Sequence, residues 1–142
     1  RFDNGARGVI YASQVSVGEE NALNIRVYGD QGGLEWSQQE PNTLIVKWND
    51  RPSEIYRTGW AGNGENAGRN TRTPAGHPEG FIEAFANLYS NFADVVAQRL
   101  DNVDPAKIRR DFPGVNDGVR GVAFIQNVVD SSDAHGWVKF TV

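Results

Sequence analysis

Residues 74–100, PAGHPEGFIEAFANLYSNFADVVAQRL, carry the longest amphipathic pattern in the chain. Phe81, Phe85, Leu88, Phe92 and Val95 recur at steps of four and three, with Ile82, Tyr89 and Val96 beside them. That spacing draws one apolar stripe down a helix. Pro78 suits the first helical position, where its missing N–H is not needed. Glu79 and Glu83 set negative charge near the positive end of the helix dipole. Such a helix spans about 30–35 Å. It needs a broad apolar surface to pack on.

The first third of the chain is built to supply that surface. Residues 7–17, RGVIYASQVSV, read as a strand with Val9, Tyr11, Val15 and Val17 on one face. A turn at 18–21 leads to a clean alternation over 23–28, then Gly29–Gly33 turns the chain into Leu34 and Trp36. Leu44, Val46 and Trp48 alternate with Ile45 and Lys47, and 54–57 reads as a short edge strand. Successive strands with short turns predict an antiparallel meander. One face is richly apolar and should take the long helix. The other is mixed, with Ile10, Ala12, Tyr28 and Ile45 among polar residues. It is either a solvated face or a subunit interface.

Residues 58–76 have no periodicity and much Gly, Asn and Thr, which predicts a long loop. Loops of this length in a compact domain are usually functional or disordered. Asp104-Pro105 caps a short helical turn that Pro113-Gly114 ends, and Asn116 or Asp117 caps a second helix to about Ser132. Gly136 ends that helix, and Trp137–Val142 reads as a last strand rejoining the sheet. The expected fold class is α+β, an open, mostly antiparallel sheet with helices packed on one face. Residues 1–142 are expected to form one domain. The Asn4-Gly5 hairpin signal has only three residues before it, and the chain holds no Met. Both suggest a piece of a longer protein.

A net charge of −4 argues against a nucleic-acid footprint, and no apolar run is long enough to span a bilayer. No membrane or nucleic-acid partner is therefore expected, and a cytoplasmic location is. The absence of cysteine removes thiolate ligands and nucleophiles. Residues 62–67 match G-x-G-x-x-A, but a dinucleotide fingerprint needs a buried strand before it and a helix after it. The sequence supplies neither, so no cofactor site is expected in this chain.

His135 stands beside a helix end, where a cation is favourable. His77 differs: it lies between a Gly-rich loop and a helix start, with Glu79 close by and Arg69 and Arg72 upstream. It either meets a polar ligand or ties the loop to the helix. One histidine and Glu79 make no metal-ligand set. Trp36, Trp48 and Trp137 read as core, whereas Trp60 lies in the loop and could stack on a sugar ring. The candidate substrate-side residues are His77, Glu79, Trp60 and Arg69; no catalytic residue is assigned.

Four runs carry a family resemblance. They are Arg1–Gly8 (RFDNGARG), Val27–Trp36 (VYGDQGGLEW), Pro74–Phe85 (PAGHPEGFIEAF) and Phe112–Ile125 (FPGVNDGVRGVAFI). Together they resemble the C-terminal domain of the Gfo/Idh/MocA family, the glucose-fructose oxidoreductase and inositol dehydrogenase-like enzymes. The resemblance implies an open sheet with helices on one face and homo-oligomers formed through the sheet. It also implies a parent enzyme moving hydride between NAD or NADP and a sugar, polyol or related alcohol. The family's nucleotide-binding domain and catalytic groups would lie upstream, leaving this chain inactive alone. The alternative is a non-catalytic carbohydrate-binding or assembly module.

Overall fold

Four alternating segments pair into one sheet in the computed structural model, which describes all 142 residues. β1 (Asn24–Tyr28), β2 (Gly32–Ser37), β3 (Thr43–Trp48) and β4 (Glu54–Arg57) follow one another antiparallel in chain order. The register sets Ile25 against Trp36, Val27 against Leu34, Leu34 against Val46, and Leu44 against Tyr56. The part of the predicted apolar face that these four strands carry therefore forms. β1 is an open edge, and its Ile25 and Val27 stay 50% and 56% exposed. The mixed face centres on charge. Glu35 bonds the Lys47 ammonium and lies 3.6 Å from Arg26. The Lys47 bond holds the Glu35 carboxyl below its usual range.

Two predicted strands do not form. Residues 7–17 lie outside any strand, and Val9 and Tyr11 are exposed. Alternation marks a segment that suits a pleated surface, but a ladder also needs a partner. Local side-chain bonds compete here: Ser13 Oγ accepts the Val15 N–H at 3.1 Å, and Tyr11 Oη pairs with Ser16 Oγ at 2.8 Å. Ile10 and Ala12 are consequently not part of the mixed sheet face. Residues 137–142 also form no strand, and Trp137 is exposed rather than core. The Asn127 amide takes the Thr141 N–H at 3.2 Å and its carbonyl at 3.0 Å, groups a sheet ladder would otherwise use.

Three helices complete the α+β fold: α1 (Glu65–Arg69), α2 (Phe81–Leu100) and α3 (Val115–Asp133). The structure divides into two compact units, Arg1–Glu79 and Gly80–Val142. α2 starts later than Pro78. Gly80 is its N-cap, and Glu83 Oε2 accepts the Gly80 N–H at 2.9 Å. Glycine has no side chain to return the bond. α3 starts the same way, with Gly114 as N-cap and Asp117 Oδ2 accepting its N–H at 2.7 Å. Asp117 thus helps cap from inside the helix. At the far end His135, not Gly136, takes the left-handed turn at φ 51°, and its Nδ1 donates to the Ser132 carbonyl at 2.6 Å.

The second unit buries little apolar surface. Ile108 is its one buried hydrophobic residue, and Asn91 its one buried polar one. Asn91 Nδ2 donates to the Asp111 carbonyl at 3.2 Å, and the Phe92 and Phe112 rings meet edge to face at 5.6 Å. The α2 stripe stays half-exposed, with Phe85 at 46% and Leu88 at 39%. No helix is long and apolar enough to cross a membrane.

Candidate functional site

The 58–79 segment leaves the end of β4 and folds back on itself. Gly59 makes this possible: it sits at φ +75°, and a Cβ there would lie 2.7 Å from the Ala75 nitrogen. The two ends of the loop meet at that point. A Cβ on Gly62 would lie 2.5 Å from Trp60 Nε1, so the indole rests on bare backbone. Trp60 remains 64% exposed. It lines an open cleft of about 320 Å³ with Asn63, Glu65, Thr71 and Thr73. A second open cleft, of about 460 Å³, sets Trp60 beside Ile55, Tyr56 and Arg57 of the β4 edge.

The loop is not wholly irregular, because α1 lies inside it. A five-residue helix is under two turns and can show no apolar period. It also gives Gly62–Ala67 a helix after all, preceded by β4. The pair still does not fit a dinucleotide. The fingerprint needs a parallel strand feeding a long helix, and β4 is an antiparallel strand of four residues before a helix of five. No group of three His, Asp or Glu is placed to hold a metal ion.

His77 is exposed, and its backbone N–H donates to the Pro74 carbonyl at 3.1 Å. Its Nδ1 lies 3.2 Å from the same carbonyl. A carbonyl only accepts, so this bond requires the proton on Nδ1. In the neutral ring that leaves Nε2 as an acceptor.

Glu79 does not orient the His77 ring and does not lie in the helix. Its Oε1 accepts the backbone N–H groups of Arg72 and Thr73, both at 2.6 Å, and lies 2.9 Å from Thr73 Oγ1. Thr73 Oγ1 is also 2.9 Å from the His77 carbonyl, so one hydroxyl proton serves two acceptors. Burial acts to raise the Glu79 pKa. The Thr73 and Arg72 bonds outweigh it and hold the carboxyl below its usual range. Arg69 lies in the last turn of α1 and lines neither cleft. The structure thus joins Glu79 to His77 through Thr73, and Thr73 to Trp60 through the first cleft.

Sequence reasoning missed Asn42. Its Oδ1 accepts the Glu79 N–H at 3.1 Å, and its Nδ2 donates to the Glu79 carbonyl at 2.7 Å. Thr58 Oγ1 adds a bond to the same Oδ1 at 2.9 Å. Nothing in a lone Asn before a strand marks partners 16 and 37 residues away.

Residues 1–140 match the oxidoreductase family, C-terminal alpha/beta domain. The chain is 29% identical over 142 residues to the uncharacterized oxidoreductase YfiI of Bacillus subtilis (strain 168), covering 98% of this chain and 36% of that protein. Among solved structures, an oxidoreductase from Sinorhizobium meliloti is 42% identical with a TM-score of 0.78, covering 89% of this chain and 35% of that one. An inositol dehydrogenase homolog from Azotobacter vinelandii, complexed with NADH and myo-inositol, is 34% identical with a TM-score of 0.79. The match covers 88% of this chain and 33% of that one. The chain spans about a third of the length of these relatives. With four runs, an α+β fold and a match across nearly its whole length, the chain belongs to the Gfo/Idh/MocA oxidoreductase family, as its C-terminal alpha/beta domain.

Proposed function

We propose that residues 1–142 are the C-terminal substrate and assembly domain of a longer NAD(P)-dependent oxidoreductase acting on a sugar, polyol or related alcohol. The observation that carries this reading is the 34% identity, at a TM-score of 0.79, to a homolog complexed with NADH and myo-inositol. The local chemistry supports it. His77 Nε2 can accept a substrate hydroxyl while Nδ1 stays engaged with Pro74. The Trp60 face offers an apolar surface to ring C–H groups, and Thr71, Thr73 and Glu65 in the same cleft offer polar partners for hydroxyls. Arg69, the basic residue in the last turn of α1, is the fourth residue on the substrate side. Nucleotide binding and proton transfer belong to residues outside this chain. Homo-oligomers form through the sheet, on the face that carries Tyr28, Ile45 and Ile55.

The test is steady-state oxidation of a panel of inositols and sugars by the full-length protein with NAD+ or NADP+. Activity on at least one polyol is expected. The variant His77→Ala should raise the KM for that polyol about two- to tenfold, the loss of one hydrogen bond. The nucleotide KM should hold. Activity confined to non-hydroxylated substrates, or an unchanged polyol KM in the variant, overturns the reading.

A further inference from the structure

We propose that Asn42 is a positioning residue for the substrate seat at His77, acting through the backbone of Glu79. The inference rests on the reading of His77 given above. The segment from Pro74 to Glu79 contains two prolines and a Gly76 at φ +87°. Such a stretch can make few regular backbone bonds, and the turn bond from His77 to Pro74 is local. Its shape must be imposed at its ends.

Both ends are held by side chains. Upstream, the Thr73 hydroxyl lies between the His77 carbonyl and the Glu79 carboxylate. Downstream, Asn42 grips the Glu79 N–H and carbonyl, while the Glu79 carboxylate reaches back to Arg72 and Thr73. His77 is thereby enclosed in a ring of bonds that closes on one anchor. That anchor is attached to the sheet. Asn42 precedes β3, its carbonyl accepts the Thr58 N–H at 3.1 Å, and the adjacent Thr43 is paired with Arg57. The asparagine transmits the rigidity of the β3–β4 pair to the loop. Loss of its amide leaves the His77 backbone free to shift, and a shift of about 1 Å at a positioning group is enough to be felt in substrate use.

The experiment compares Asn42→Ala, His77→Ala and the double variant in the full-length protein, by polyol kinetics and by amide hydrogen exchange. In Asn42→Ala the Glu79 and His77 amides should exchange at least about tenfold faster, as one opened bond predicts. The polyol KM should rise about two- to tenfold. kcat and the nucleotide KM should stay within about twofold. The double variant should be no worse than His77→Ala alone, because both act at one seat. Unchanged exchange at Glu79 overturns the anchor itself. Faster exchange with an unchanged polyol KM, where His77→Ala does raise it, overturns the positioning role. Additive KM effects overturn the route through His77. A neutral His77→Ala sinks the function proposed for the seat and the positioning role with it.

Discussion

Two asparagines, one in each compact unit, make the same bond. Asn42 holds the N–H and carbonyl of Glu79; Asn127 holds the N–H and carbonyl of Thr141. In each case one side-chain amide does what a neighbouring strand would do. Their surroundings differ. Both asparagines are half-buried, but Asn42 shares its oxygen with Thr58 and grips a half-buried residue whose carboxylate is bonded elsewhere. Asn127 bonds an exposed tail and turns its Nδ2 also to the Ala123 carbonyl of its own helix. The same contact is a fixed corner when its target is held from several sides, and a tether when it is not. Water can replace the second far more cheaply than the first.

The sharpest way to break this comparison is Asn42→Ala read as stability. The half-buried Glu79 N–H and carbonyl lose both partners, which should cost about 1–3 kcal/mol of local opening energy. Hydrogen exchange at the Glu79 amide measures it. A cost below about 0.5 kcal/mol would make Asn42 no more than a tether.

An apolar control comes next. The α2 stripe predicts a buried Phe85, whose truncation would cost about 3–5 kcal/mol. The side chain is 46% exposed, although its ring lies 4.6 Å from that of Phe81. Phe85→Ala should therefore cost only about 1–2 kcal/mol, roughly half the burial term. The shift in denaturant midpoint reports it. A loss above about 3 kcal/mol would mean that another surface covers the stripe in solution, and the second unit would then owe its stability to apolar burial after all. Asn127→Ala should have the smallest effect on stability, under about 1 kcal/mol, because water reaches both groups of exposed Thr141. Faster exchange confined to the Thr141 amide is the expected sign; a global loss of stability would put Asn127 on a par with Asn42.

This contrast also explains what was legible in the sequence. β1 to β4 were, because alternation and Gly-Asp-Asn turns are local signals. α2 and α3 were, because 20 and 19 residues show a period that five-residue α1 cannot. Residues 7–17 and 137–142 carry the alternation but not the ladder, since pairing depends on a partner distant in the chain. The candidate site was legible only in outline. His77, Glu79 and Trp60 stood out by residue type, yet the role of Glu79 was misread. Its helix-dipole part falls to Glu83, while its own carboxylate folds back on Thr73. Asn42 was invisible because its partner is 37 residues away.

The two clamps should finally separate by pH. Burial opposes the charge on Glu79, but the N–H groups of Thr73 and Arg72, the Thr73 hydroxyl and the Arg72 charge together hold its carboxyl below the usual glutamate range. A folded value below the unfolded one means that the opened loop takes up a proton first as pH falls. The Glu79 contribution is therefore complete above the ordinary glutamate pKa and is lost as pH falls from there through the lowered folded value. The Thr73 and Arg72 amides should lose exchange protection across that window, after correction for the intrinsic pH dependence of exchange. No titratable group takes part in the Asn127 bonds to Thr141, so that amide should keep its protection over the same range. Glu79→Gln keeps an amide oxygen but not the charge. Its Thr73 amide should be less protected at neutral pH and nearly flat into acid. If wild-type protection at Thr73 held steady through the window, the carboxylate would not be closing the loop, and Asn42 alone would set the corner.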